Sequence, residues 1–233
     1  MKLAIMQPYL LPYIGYFQLM AAVDKFVIYD DVQFIKGGWI NRNRILLGGR
    51  EHAFTAPLLG ASPNRLINEI ELVQNTGWRR KVLRTIEQAY TGAAHYAEVL
   101  PLLSRIVSYP ERQLTAYLLH SLEVLKTYLE IPASLINTSA TYQNQDLKGQ
   151  ERILDICRRE GASVYVNASG GRDLYRSEAF RAQGIALRFL DPEPFTYDQG
   201  TIHFSPSLSI VDVLMFNSRD EVKALLGKAR LSQ

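Results

Sequence analysis

Residues 3–31 constrain the fold more than any other stretch of the chain. An apolar run, Leu3-Ala4-Ile5-Met6, breaks into Gln7-Pro8-Tyr9 and then into a turn rich in aromatics and proline, Leu11-Pro12-Tyr13-Ile14-Gly15-Tyr16. A helical pattern follows over 17–23, and a second strand-like run over 26–29 ends in the paired carboxylates Asp30 and Asp31. Strand, tight turn, helix, strand and acidic pair is how an α/β protein opens, and such folds bind ligands in the crevice at the carboxyl ends of their strands. Both strand ends here carry polar and aromatic groups where plain turns would serve.

The same alternation returns after residue 133. Strands are expected over 134–137, 163–167 and 185–190, and helices over 149–160 and 173–183, a rhythm that argues for parallel βαβ units. Gly48-Gly49-Arg50-Glu51 reads as the turn of a hairpin between 44–47 and 52–55, and 66–73 reads as a further strand. Residues 76–130 carry helical spacing instead, as three helices over 76–90, 97–108 and 111–130. The last has Leu114, Tyr117, Leu118, Ser121, Leu122, Leu125, Tyr128 and Leu129 on one face, with Pro110 before its start and Pro132 after its end. Helical pattern closes the chain over 209–216 and 219–228. The expectation is one α/β domain over 1–233 with a largely parallel sheet, Rossmann-like or nucleotidyltransferase-like, and a helical insertion or cap over 76–130.

Composition narrows the function classes. Twenty-six basic side chains face 23 acidic ones, a net charge of +3, too balanced for the concentrated basic face that nucleic acid requires. The cluster Trp78-Arg79-Arg80-Lys81 lies on a helical pattern and reads as a solvated helix face. Cys157 is the single cysteine, so no intrachain disulfide forms, and its place inside a helical pattern suits a buried small hydrophobe. No apolar run approaches bilayer-spanning length, and Met1-Lys2 leads straight into a strand rather than an apolar leader. A cytoplasmic protein without membrane insertion is expected.

Several constellations could carry chemistry. Gln7, Tyr13, Gly15 and Tyr16 belong to a turn stiffened by two prolines, with Gly15 allowing close backbone approach at a helix start, where N–H groups suit an anion. The plain structural reading is a rigid turn with packed aromatics. Asp30 and Asp31 end a strand, so at most one of them faces the crevice, where in a functional reading it binds a ligand amine, a ribose hydroxyl or a divalent cation, while the other caps a turn or pairs with Arg. No His or Cys spacing accompanies them, so no metal cage is indicated. In Trp39-Ile40-Asn41-Arg42-Asn43-Arg44, Arg offers a planar fork for phosphate or carboxylate, Asn41 and Asn43 offer both donor and acceptor, and Trp39 offers a face for a sugar or base. A polar edge strand is the structural alternative. Asn167, Gly170 and Gly171 lie in a small-residue turn suited to an anion, where Asp173 also reads as a helix N-cap. His203 and Asp212 flank a Pro- and Ser-rich stretch, with His203 as the candidate general base and Ser207 or Ser209 as a helix cap.

Four blocks, in order along almost the whole chain, carry a resemblance: QPYLLPYIGYFQLM, YDDVQFIKGGWINRNRI, YVNASGG and LSIVDVLMFN. They resemble the WbqC-like protein family. The resemblance implies a bacterial protein found with genes for surface-polysaccharide synthesis, O-antigen included, and nucleotide-sugar synthesis. It also implies one proposed activity, transfer of an aminoacyl group such as glycyl to an amino sugar. In a transferase of that kind a small-molecule substrate linked to a nucleotide is expected. His203 or Asp30 would deprotonate the amine, and Asn41, Arg42 or the 167–171 turn would stabilise the oxyanion. ATP activation of the amino acid would suit the opening loop, where Tyr13-Ile14-Gly15-Tyr16 takes the place that H-x-G-H holds in class I synthetases and nucleotidyltransferases. A nucleotidyltransferase and a non-catalytic nucleotide- or sugar-binding module are the alternatives.

Overall fold

The apolar run after Met1 forms the central strand, β1 (Lys2–Met6), and the rest of the chain is arranged around it. A computed structural model describes residues 1–233. β1 is followed by helix α1 (Ile14–Ala21) and strand β2 (Lys25–Ile28), then by the hairpin β3 (Arg42–Leu47) and β4 (Arg50–Thr55) and the short strands β5 (Leu58–Leu59) and β6 (Glu71–Leu72). Three helices come next, α2 (Gly77–Tyr90), α3 (Tyr96–Val107) and α4 (Leu114–Tyr128). Alternation resumes with β7 (Ser134–Ile136), α5 (Gly149–Arg159), β8 (Val164–Ala168), α6 (Ser177–Ala182) and β9 (Ala186–Pro192). The chain closes with α7 (Ile210–Phe216), α8 (Arg219–Leu226) and β10 (Ala229–Ser232).

Six strands form one sheet in the order β10-β9-β8-β1-β2-β7. β7, β2, β1, β8 and β9 run parallel, and β10 lies antiparallel along the β9 edge. The chain therefore winds outward from β1 through β2 to β7, then jumps back to β8 on the other side of β1. That reversal, between β1 and β8, is the switch point of a doubly wound sheet.

Strand alternation sorts the side chains into two layers. Ala4, Phe26, Ile28 and Val166 face one core, shared with α1, α7 and α8. Leu3, Ile5, Val27, Tyr165, Leu187 and Phe189 face the other, under α5 and α6. Residues 76–130 add Val82, Ile86, Leu103, Ile106, Leu118 and Leu125 to the first core. The three helices are thus packed at one side of the sheet and share its core. The hairpin turn is two residues, Gly48 and Gly49, at φ 58° and 75°, the pair of positive values that a type I′ turn requires and glycine supplies without strain.

Three local expectations differ. Residues 66–73 form no single strand. A 3₁₀ turn at Ile67–Glu69 intervenes, closed by Glu69 Oε2, which accepts from Leu66 N at 3.0 Å, before two-residue β6. The helix expected from Asp173 is split into a 3₁₀ segment, Ser169–Leu174, and α6, whose N-cap position is Arg176, so Asp173 caps nothing. The C-terminal residues 229–232, where no strand is expected, form the edge strand β10. No helix is long and apolar enough to cross a membrane.

Candidate functional site

Between the carboxyl ends of β1 and β8 lies a cavity of about 390 Å³. Its walls come from distant parts of the chain: Met6 from the end of β1, Tyr9, Pro12, Tyr13, Gly15 and Tyr16 from the opening turn and α1, Trp39 from the loop before β3, Asn43 and Arg44 from β3, Ala168 from β8 and Ser207 from the loop before α7.

The opening turn is held in an unusual conformation. Leu11 has φ 43°, left-handed backbone that a branched side chain rarely adopts and that persists only where surrounding contacts impose it. Here they do. Asn43 is buried and donates through Nδ2 to Leu10 O at 3.0 Å and Leu11 O at 2.8 Å. Ser209 Oγ donates to Leu11 O at 2.7 Å, and Ile210 N donates to Pro12 O at 2.8 Å. The turn is thus clamped between β3 and the start of α7. No side chain caps α1. Gly15, its second residue, lines the cavity because the Tyr13 ring lies across it. A Cβ there would sit 2.3 Å from Tyr13 Cε2.

Tyr9, Tyr13 and Tyr16 have their phenols raised by burial, so at neutral pH they act as hydrogen-bonding groups rather than as bases. Tyr16 donates to Gln7 O at 3.0 Å and packs on Tyr9 with ring centroids 5.6 Å apart. Trp39 remains 43% exposed, with the Arg42 and Arg44 guanidinium carbons 5.6 and 5.7 Å from its ring centroid. The two arginines differ in their partners. Arg42 Nε donates to Gly38 O at 3.1 Å on an exposed surface. Arg44 lines the cavity, pairs through Nη1 with Glu51 at 2.8 Å, and buries an Nε that has no partner.

The structure thus brings Tyr13, Gly15, Tyr16, Trp39 and Asn43 together in one cavity, with Gln7 beside it at the end of β1. Other sequence candidates lie elsewhere. Asp30 is buried at the end of β2, accepting from Thr138 Oγ1 at 2.7 Å and Ser139 N at 3.1 Å. Burial pushes its carboxyl up, against the pull of Thr138 and Ser139. Asp31 is buried beside it in an ion pair with Arg152 Nη2 at 2.5 Å, with Ser139 Oγ and Gln145 Nε2 also donating to it. Both carboxylates join β2 to the segment after β7 and to α5. Asn41 donates to Ala56 O at 2.9 Å, bracing the hairpin. Asn167 folds back so that its Oδ1 accepts from Ala168 N at 2.7 Å. Gly170 and Gly171 lie in the 3₁₀ segment after β8, Gly171 against the Asn167 amide.

His203 is exposed and lines a different cavity, of about 670 Å³, with Gly48, Gly49, Tyr90, Gly92, Gln199 and Phe216. Asp212 is fully buried behind it. It accepts from Tyr90 Oη at 2.8 Å, Tyr197 Oη at 2.6 Å and Gln199 Nε2 at 2.8 Å, while Ser209 serves as the α7 N-cap. Cys157 is buried, its thiol pushed up to about 12 by burial. No group of three or more His, Cys, Asp or Glu is placed to hold a metal ion.

Sequence reasoning missed Tyr9, Arg44, Ala168 and Ser207. Tyr9 and Arg44 lie inside segments that composition already marks, and strand alternation alone puts Arg42 and Arg44 on the same side. Ser207 arrives through a loop with its own φ at 56°, which no local pattern announces.

The model of the WbqC-like protein family matches residues 7–224 of the chain. An uncharacterized protein of Mycobacterium tuberculosis (strain ATCC 25618 / H37Rv), Rv1507c, is 35% identical over 234 residues, covering 98% of this chain and 99% of that protein. No solved structure matches.

Proposed function

The chain belongs to the WbqC-like protein family, and from that premise we propose that it binds a nucleotide-linked sugar in the cavity between β1 and β8 and acts as a transferase of surface-polysaccharide or nucleotide-sugar synthesis. One observation carries the reading. Residues from all four stretches that bear the family resemblance, or adjoining them, converge on the switch point. They are Tyr9, Pro12, Tyr13, Gly15 and Tyr16, then Trp39, Asn43 and Arg44, then Ala168, and Ser207 just before the fourth. In a doubly wound sheet that crevice is where ligands bind. The chemistry of the walls suits an anion joined to a hydroxyl-rich ring. Arg44 provides a guanidinium fork, uncapped α1 provides backbone N–H groups, Trp39 provides an exposed face, and Tyr9 and Tyr13 provide hydroxyls.

Transfer of an aminoacyl group to an amino sugar is the finer form of this proposal. It requires a group that takes the ammonium proton. A second reading, a binding module without chemistry of its own, is favoured by one specific feature: neither His203 nor any carboxylate lines this cavity, and its tyrosines are held protonated.

The test is a thermal-shift screen of the purified chain against nucleotides, sugar nucleotides and amino acids. A ligand at 100 times its Kd adds about 2.7 kcal/mol. The protein is then incubated with ATP, glycine and a dTDP-linked amino sugar and amide formation is followed by mass spectrometry. Stabilisation by sugar nucleotides with amide product supports the transferase. Stabilisation with no product from any acyl donor supports the binding module. No stabilisation by any nucleotide or sugar nucleotide overturns both.

A further inference from the structure

A second, smaller cavity of about 210 Å³ abuts the first. Tyr13, Gly15 and Ser207 line both, so the two spaces adjoin at the Tyr13 ring laid across Gly15. The far walls are aromatic and prolyl. Phe195 and Tyr197 lie nearly parallel at 22°, and Phe204 stands edge-on to Tyr197 at 85° with centroids 5.2 Å apart. Pro192, Pro194 and Pro206 complete that side.

Two polar side chains of the wall, Gln18 and Glu193, have their charged or donor groups committed to the protein. Gln18 is 1% exposed. Its Nε2 is committed to Leu225 O at 2.9 Å and Lys228 O at 3.1 Å, which leaves Oε1 buried with no hydrogen-bond partner. Glu193 is the one charged residue of the wall, and its carboxylate is paired with Arg230 Nε at 2.6 Å. An aromatic and prolyl box with no free charge offers ring faces on which a planar ring stacks. The volume is below the roughly 300 Å³ at which sites for whole drug-sized ligands begin, so it holds a fragment of a larger ligand.

We infer that this cavity is the base half of the site: it takes the heteroaromatic base of a nucleoside diphosphate, stacked on the Phe195–Tyr197 wall. The diphosphate then crosses at Tyr13, Gly15 and Ser207, past the start of α1 and toward the Arg44 guanidinium, and the appended sugar lies beside Trp39. The inference rests on the nucleotide-sugar reading above and adds to it where the base goes.

Isothermal titration of the full chain with UDP, dTDP, GDP and ADP, and with glucose 1-phosphate as a base-free probe, separates the two claims. Phe195→Ala is expected to weaken the nucleoside diphosphates about five- to a hundred-fold, the range for losing one base–aromatic stack, and to leave glucose 1-phosphate unchanged. Phe195→Tyr is expected to restore affinity. Phe204→Leu carries the same expectation should Phe195→Ala fail to fold. Nucleoside diphosphates that bind the wild type and lose nothing in folded Phe195 and Phe204 variants overturn the base site and leave the nucleotide-sugar reading standing. A wild type that binds none of the four diphosphates at millimolar concentration overturns both.

Discussion

Arg42 and Arg44 are two residues apart in one strand, and their surroundings assign them different work. Arg42 spends its Nε on Gly38 O at the surface, whereas Arg44 lines the cavity with an unpartnered Nε. Losing a charge-assisted contact costs about 1.5–3 kcal/mol, roughly ten- to a hundred-fold in affinity. Arg44→Ala is therefore expected to weaken a sugar nucleotide by that factor in a calorimetric titration, and Arg42→Ala to change it less than about two-fold. Asp212 is a second residue whose role follows from its partners. Burial pushes its carboxyl up, against the pull of Tyr197, Tyr90 and Gln199. A raised carboxylate pKa means the folded state holds a proton more tightly than the unfolded one, so Asp212 makes the protein less stable as pH rises through its folded pKa. Removing a donor exaggerates that. Tyr90→Phe is expected to cost about 1.5–3 kcal/mol at neutral pH, read by urea unfolding, with the cost shrinking as pH falls toward the ordinary carboxylate range. A pH-independent cost contradicts a charged Asp212. At this scale the sequence marked segments that line the cavity, Tyr13, Gly15, Tyr16, Trp39 and Asn43 among them, but strand alternation alone puts Arg42 and Arg44 on one side and does not say which of the two lines it.

At the scale of elements, the acidic pair after β2 acts as a junction. Asp30 binds the turn after β7 and Asp31 binds Arg152 of α5. Removing one partner of a buried pair leaves an uncompensated charge and costs about 3–5 kcal/mol. Arg152→Ala is expected to lower stability by that amount in denaturant unfolding, and Arg152→Met with Asp31→Leu by less. Helix α1 supplies a sharper test of the opening turn. Alanine in a helix is favoured over glycine by about 1 kcal/mol, yet a Cβ on residue 15 would collide with the Tyr13 ring. Gly15→Ala is expected to lose ligand binding without gaining stability, and to gain up to about 1 kcal/mol once Tyr13→Ala has cleared the space. Equal stability gains in both backgrounds would show that the ring moves freely. The long helices were legible because their apolar spacing is local, as in Leu114, Leu118, Leu122 and Leu125 of α4. β10 was not, since Ala229–Ser232 is a short and largely exposed edge strand specified only by its pairing with β9.

For the molecule as a whole, the decisive feature is the reversal of strand order between β1 and β8. The parallel strands were readable from the alternation of short apolar runs with helical patterns. Their order was not, because nothing local tells β8 to lie beside β1 rather than beyond β7. That order gathers the opening turn, the start of β3, the end of β8 and the loop before α7 around one cavity, although they are spread over some 200 residues. Helices α2 to α4 share the sheet's core rather than forming one of their own. The most direct test of this account is a crystal structure of the chain grown with a nucleoside diphosphate sugar. The account predicts ligand density in the trough between β1 and β8, with the Arg44 guanidinium within hydrogen-bonding distance of it and Trp39 against the sugar. Density lodged instead in the cavity beside His203, with the switch-point trough unfilled, would contradict it.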